Sequence, residues 1–260
     1  MLPLLFCNRD SARVIFAPAH HFRPPRPRHA MPIEPNLPTT PVRVWDLPTR
    51  LFHWLLVICI VGSVVSAKVG GNAMEWHLRF GLMVFTLLAF RLLWGFVGGR
   101  WSRFASFIHA PATLLRHLRG QGRRDEWLEV GHSPSGALSV FAMLAILGLQ
   151  VASGLVSDDE ISTTGPLIRF VSGATSSLAT SWHKSWGQWL IYTLVLLHIA
   201  AILFYLLKRG NNLTGAMLRG DKALSDDTPA SRDTLVTRLL ALVLLLACAG
   251  VAGWVWGLRT

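Results

Sequence analysis

The sequence predicts an all-α integral membrane helical bundle, and three observations carry that prediction. Of 260 residues, 52% are hydrophobic and 15% charged, where a soluble domain has about 25% charged residues. The mean hydropathy is +0.42. Five apolar runs approach the roughly 20 residues that a helix needs to cross a hydrocarbon core of about 30 Å. Lipid offers the backbone no hydrogen bonds, and no run alternates with period two, so helices rather than barrel strands are expected.

The runs fall at Leu51–Ala67, Trp76–Val97, Ser135–Val156, His183–Leu207 and Leu235–Leu258. Ahead of them, residues 1–42 contain FRPPRPRHAMPIEPNLPTTP, too rich in Pro and Arg to pack, and are expected to be disordered. MLPLLFCNRD is too short for a secretory signal, and a start at Met31 would make the first thirty residues an overextended reading of the gene. Residues 43–219 are expected to hold four core helices, 220–234 a cytoplasmic linker and 235–260 a fifth, C-terminal membrane helix.

The net charge of +11 would suggest nucleic acid in a soluble protein. Here Lys and Arg flank the apolar runs, so membrane lipid is the expected partner and nucleic acid is not. Arg43, Arg50, Arg100, Arg103, Lys208 and Arg209 crowd the loops on one side, whereas the other side carries Lys68 and Arg169 beside three acids. By the positive-inside rule the N-terminus is cytoplasmic and the C-terminus outside. Trp94, Trp101, Trp186 and Trp254, among others near run ends, fit interfacial belts. The three cysteines form no CxxC, zinc-type or CxxCH spacing, which leaves disulfide scaffolds and covalent haem unsupported.

Ionisable side chains inside a membrane run are expensive and mark functional positions. Of ten histidines, His53, His77, His183 and His198 lie in or at the ends of the runs. The remaining six belong to the leader, the basic loop or, for His132, the cap or loop before the third helix. His183 and His198 lie about 22 Å apart along one helix and about 60° apart around it. Depth pairs His77 with His183 at the outer level and His53 with His198 at the inner one. Facing imidazoles in a helical bundle suit the two axial positions of a low-spin haem b, so two haems are expected, with all four histidines as iron ligands. Gly81 and Gly187 follow His77 and His183 by four residues, where a missing side chain would let a macrocycle approach the backbone. Arg91 falls at the inner level, placed either to pair with a haem propionate or to snorkel to the interface. Arg79 and Lys184 stand in the same position toward the outer pair. Zinc is the main rival, but no level gathers a closed tetrahedral set.

RLFHW in the first run, WHLRFG and FRLLWGFVG in the second, GHSPSGALSV opening the third and WHK with LVLLHIAAI in the fourth together resemble the bacterial cytochrome b561 and Ni,Fe-hydrogenase b-type cytochrome family. The likeness spans Pro41 to Arg219. It implies a dihaem cytochrome of the bacterial inner membrane, working in a respiratory chain and passing electrons between quinone and a c-type cytochrome or catalytic redox subunit. It gives ligand roles to the same four histidines. The fifth helix carries no histidine and is expected to pack or anchor. Two other functions remain open: an anchor subunit whose haems are structural, and a haemless metal-handling membrane protein.

Overall fold

The computed structural model describes residues 39–119, 127–128, 130–225 and 227–259. Its elements are β1 (Thr39–Arg43), α1 (Leu47–Val69), α2 (Met74–Val97), α3 (Pro111–Leu118), α4 (Pro134–Leu155), α5 (Gly173–Trp182), α6 (Gln188–Arg209), α7 (Leu213–Arg219), β2 (Asp221–Ser225) and α8 (Leu235–Gly257). Among the described residues, five helical segments are long and apolar enough to cross a membrane: α1, α2 with its leading turn, α4, the continuous Gly173–Arg209 stretch and α8. The chain is thus the expected all-α multi-pass bundle.

Local chemistry starts these helices. Asp46 caps α1, accepting the Thr49 amide at 2.9 Å, with Pro48 in the first turn. Ser133 caps α4 ahead of Pro134, and Thr234 forms a capping box with Thr237 at α8. Gly70, at φ 69°, ends α1 in a conformation open to glycine and leads into the single turn Gly71–Ala73 before α2. Gly210, at φ 63°, closes α6 in the same way.

α1 and α2 pack along their lengths, α8 lies against α2, and α4 joins α2 to α6. Gly62 permits the first contact, since a Cβ there would stand 2.6 Å from the Phe80 ring. The core between them holds Phe52, Cys59, Val84, Leu87, Leu147 and Ile191. The outer faces are apolar as well, with Phe96, Leu207 and Val243 exposed, as suits a solvent of acyl chains.

Two features differ from the sequence expectation. The disordered lead-in expected through residue 42 gives way at Thr39, because β1 pairs antiparallel with β2 from Thr39–Ser225 to Arg43–Asp221. The same pairing places Asp221–Ser225 in a strand instead of a linker; residues 1–38 lie outside the described residues. The fourth span begins ten residues early, at Gly173. Its 37 residues would run about 55 Å, so its polar end, α5, stands beyond the hydrocarbon.

Two of the interfacial tryptophans have other work. Trp94 is fully buried, its indole N–H on Asp46, and the Trp101 indole donates to the Pro229 carbonyl at 2.8 Å. Trp186 and Trp254 are exposed on the outer surface.

Candidate functional site

Each of the four membrane histidines is half-buried and meets another across the bundle. His77, one turn into α2, faces His183, just past α5, with ring centres 5.9 Å apart and planes at 86°. His53 on α1 faces His198 on α6 at 6.3 Å and 51°. Two metal–nitrogen bonds of about 2 Å, plus the half-width of each ring, give roughly 6 Å between the centres of two imidazoles on one iron. Both pairs have that spacing. Among the described residues no three His, Cys, Asp or Glu side chains gather as a metal-binding group, so each level offers a pair and no more.

The outer pair is held from behind. His77 Nδ1 lies 2.9 Å from the Ser63 carbonyl, with the Ser63 hydroxyl at 3.1 Å. His183 Nδ1 lies 2.9 Å from the Gln150 carbonyl, with the Ser153 hydroxyl at 3.3 Å. A carbonyl only accepts, so both Nδ1 atoms carry the proton and both Nε2 atoms keep a lone pair for a metal. The two rings line an apolar cavity with Gly81, Leu82, Gln188 and Trp256. A Cβ on Gly81 would meet nothing within 4 Å, so this glycine borders open space beside His77.

Gly187 is placed differently. It is buried away from the cavity lining, and a Cβ there would collide with Gln150 Oε1 and the Trp182 indole. The chain widens to a π-turn over His183–Gly187, and Gln150 Nε2 donates to the His183 carbonyl at 2.9 Å. Gly187 therefore makes room for the glutamine that braces this turn. One extra residue in the turn takes about 100° out of the rotation between His183 and His198. The 60° offset of an ideal helix becomes about 40° of opposite sign, so both rings still point into the bundle. Gly154 serves His183 from the other side, for a Cβ there would stand 2.8 Å from its Cε1.

The inner pair has looser support. His53 Nδ1 is buried without a hydrogen-bond partner, and its ring meets the edge of Trp54 at 5.0 Å. Arg91 is 3% exposed, with Nη1 enclosed and unpartnered and its guanidinium over the Phe104 ring at 4.8 Å. It does not snorkel; it points inward. Below the inner pair a polar plug closes the β1–β2 end. Fully buried Asp46 accepts from the Gly99 amide, the Ser102 hydroxyl and the Trp94 indole as well as from Thr49. The Ser231 hydroxyl bridges the Val44 carbonyl and the Trp101 amide.

Arg79 pairs with Glu75 and stacks over Trp76, whereas Lys184 lines the outer cavity. Sequence reasoning missed Ser63, Gln150, Ser153 and Gly154. Gln150 carried the one available signal, a large polar side chain within an apolar run.

Residues 44–220 match the family model described as prokaryotic cytochrome b561. The chain is 24% identical over 190 residues to the probable Ni/Fe-hydrogenase 1 B-type cytochrome subunit of Escherichia coli K12, covering 60% of this chain and 80% of that one. Probable Ni/Fe-hydrogenase B-type cytochrome subunits of Bradyrhizobium diazoefficiens and Azotobacter vinelandii are 23% and 26% identical. These alignments cover 71% and 73% of this chain and 87% and 92% of theirs. No solved structure matches. With more than half of its length inside the family match and five helices suited to lipid, the chain belongs to the prokaryotic cytochrome b561 family and is a b-type membrane cytochrome of electron transfer.

Proposed function

We propose that the chain is a dihaem cytochrome that carries electrons across the bilayer between a quinone and a partner redox protein. The observation behind this reading is the pair of imidazole couples, at 5.9 and 6.3 Å, set at two levels of one bundle. His77 and His183 would hold the outer haem b and His53 and His198 the inner one. The bound haem supplies a one-electron iron couple whose potential depends on axial ligands, hydrogen bonds and burial.

The chain's own residues set those conditions. Ser63 and Gln150 carbonyls fix the tautomer and orientation of the outer imidazoles and raise their basicity. The cavity lining is mostly apolar, and Gly81 leaves its wall open beside His77. Arg91 brings a buried positive charge to the inner level. The Lys and Arg bias puts the β1–β2 end in the cytoplasm of a bacterium, with the outer pair toward the periplasm. The relatives' names make a hydrogenase-type catalytic subunit one candidate partner and a c-type cytochrome another.

Haem stoichiometry by pyridine haemochrome, combined with redox titration, tests the proposal. Two b haems per chain are expected, titrating separately. His77→Ala or His183→Ala should remove the outer haem and spare the inner, and His53→Ala or His198→Ala should do the reverse. Haem content unaffected by these changes would overturn the pairing. Haems that no quinol reduces would point to a membrane anchor instead.

A further inference from the structure

A buried guanidinium whose N–H groups lack acceptors is costly, so its missing partner is informative. Arg91 Nη1 is such a group. The carboxylate within its electrostatic reach, Asp46, already accepts from two amides, a hydroxyl and an indole. Beyond Phe104 lies a second orphan. Phe104 packs edge-on against Phe107 at 5.9 Å, and the Phe107 ring lies 4.7 Å from the ring of His132. The Trp45 ring also packs against His132, at 4.7 Å. His132 as a residue is half-buried, and its Nδ1 is enclosed and has no hydrogen-bond partner.

His132 thus belongs neither to the α4 cap, which is Ser133, nor to solvent. Two aromatic rings hold it in place within electrostatic reach of Arg91, Lys222, His53 and His198. Lys222 enters the same corner, its Nζ on the Val130 carbonyl at 2.7 Å. Two buried donors without acceptors, Arg91 Nη1 and His132 Nδ1, beside an Asp46 already saturated, describe a place prepared for an anion. A carboxylate suits it best, since its two oxygens answer a guanidinium and an imidazole N–H together.

Resting on the two-haem reading above, we propose that Arg91 and His132 together receive one propionate of the inner haem. His132 acts as a positioning residue, and the Trp45–Phe107 clamp keeps its Nδ1–H directed at that carboxylate. The inner haem then has three anchors: two imidazoles on the iron and this pair on its edge.

The test uses intact holoprotein carrying haem labelled with ¹³C at its propionate carboxylates, in wild type, His132→Phe, Arg91→Gln and Arg91→Lys. Phe at 132 keeps the aromatic packing and removes only the donor. Redox titration should show two haems in each, with the outer potential unmoved. In Arg91→Gln the inner haem should lose at least tenfold in its reduction equilibrium, a fall of 59 mV for a one-electron couple. Arg91→Lys should restore most of that loss. Redox-induced infrared difference spectra should show the labelled carboxylate band of the inner haem shifted in His132→Phe. An unmoved band and unmoved inner potential, in variants still holding two haems, would overturn the proposal while leaving the two-haem reading intact. If Arg91→Gln does not accumulate, the labelled carboxylate band in His132→Phe decides alone. Wild-type protein with one haem would overturn the two-haem reading, and this proposal with it.

Discussion

His183 is supported by three contacts from two residues of α4, Gln150 and Gly154. Its Nδ1 donates to the Gln150 carbonyl, its own carbonyl accepts from the Gln150 amide, and Gly154 lies flat against its ring. Such partners orient a ligand before any metal arrives, and their loss typically costs 10–100-fold in metal affinity. Gly154→Ala puts a methyl 2.8 Å from the His183 ring, an overpacking that costs about 1–3 kcal/mol. The expected result is a 10–100-fold weaker outer haem with the inner haem retained, read from haem content and the outer midpoint potential. That four histidines meet in two couples was legible in the sequence, because a titratable ring in an apolar run is expensive and its depth can be counted along the helix. Gly154 and Ser153 were not, since small residues are common in membrane helices and only the approach of another helix gives these two a task.

At the level of the element, four of the five spans were legible to within a few residues and the fourth in chain order began ten residues early, and the reasons for the misses are local. The π-turn over His183–Gly187 leaves no mark on hydropathy, because widening a turn by one residue does not alter which residues are apolar. The β1–β2 pair was hidden because TTPVR and DKALS are short, polar and far apart, and neither has a strand pattern alone. The connection from α4 to α5 turns on Asp159. Burial raises the pKa of its carboxyl, but hydrogen bonds from the backbone N–H groups of Thr163, Ser162 and Ile161 outweigh this and lower it to about 2. A depressed carboxylate contributes stability that is present above its ordinary value of about 4 and is lost as pH falls through the lowered one. Amide exchange at 161–163, measured relative to the unstructured rate at the same pH, should therefore stay protected near neutral pH and lose that protection as pH drops from about 4 toward 2. Asp159→Asn should show fast exchange already at neutral pH. Unchanged protection across that window would show that other contacts hold the loop.

For the whole molecule, the bundle separates into a well-braced outer half and an inner half closed by a polar plug. α8 belongs to both: Ala241 packs in the central core, whereas Trp256 lines the outer cavity and Arg259 pairs with Glu75 at 2.8 Å. Stopping the chain at Thr234 should leave the His53–His198 haem bound and lower occupancy of the outer site. The difference spectrum of membranes carrying the truncated protein would show it. Equal loss of both haems would mean that α8 holds up the bundle as a unit. Its packing role, expected from its lack of histidine, carries an additional outer contact that no spacing rule reveals.

The β1–β2 pairing joins Arg43 to Asp221, 178 positions further along the chain. Synthesis delivers the N-terminal partner first, so neither this knot nor either imidazole couple exists while the early spans enter the bilayer. His77 waits for His183, and His53 for His198. The inner couple sits beside the knot, whose second strand ends only at Ser225. The three pairings thus become possible in chain order: the His77–His183 couple once residue 183 is made, the His53–His198 couple at residue 198, and the strand pair only at Ser225.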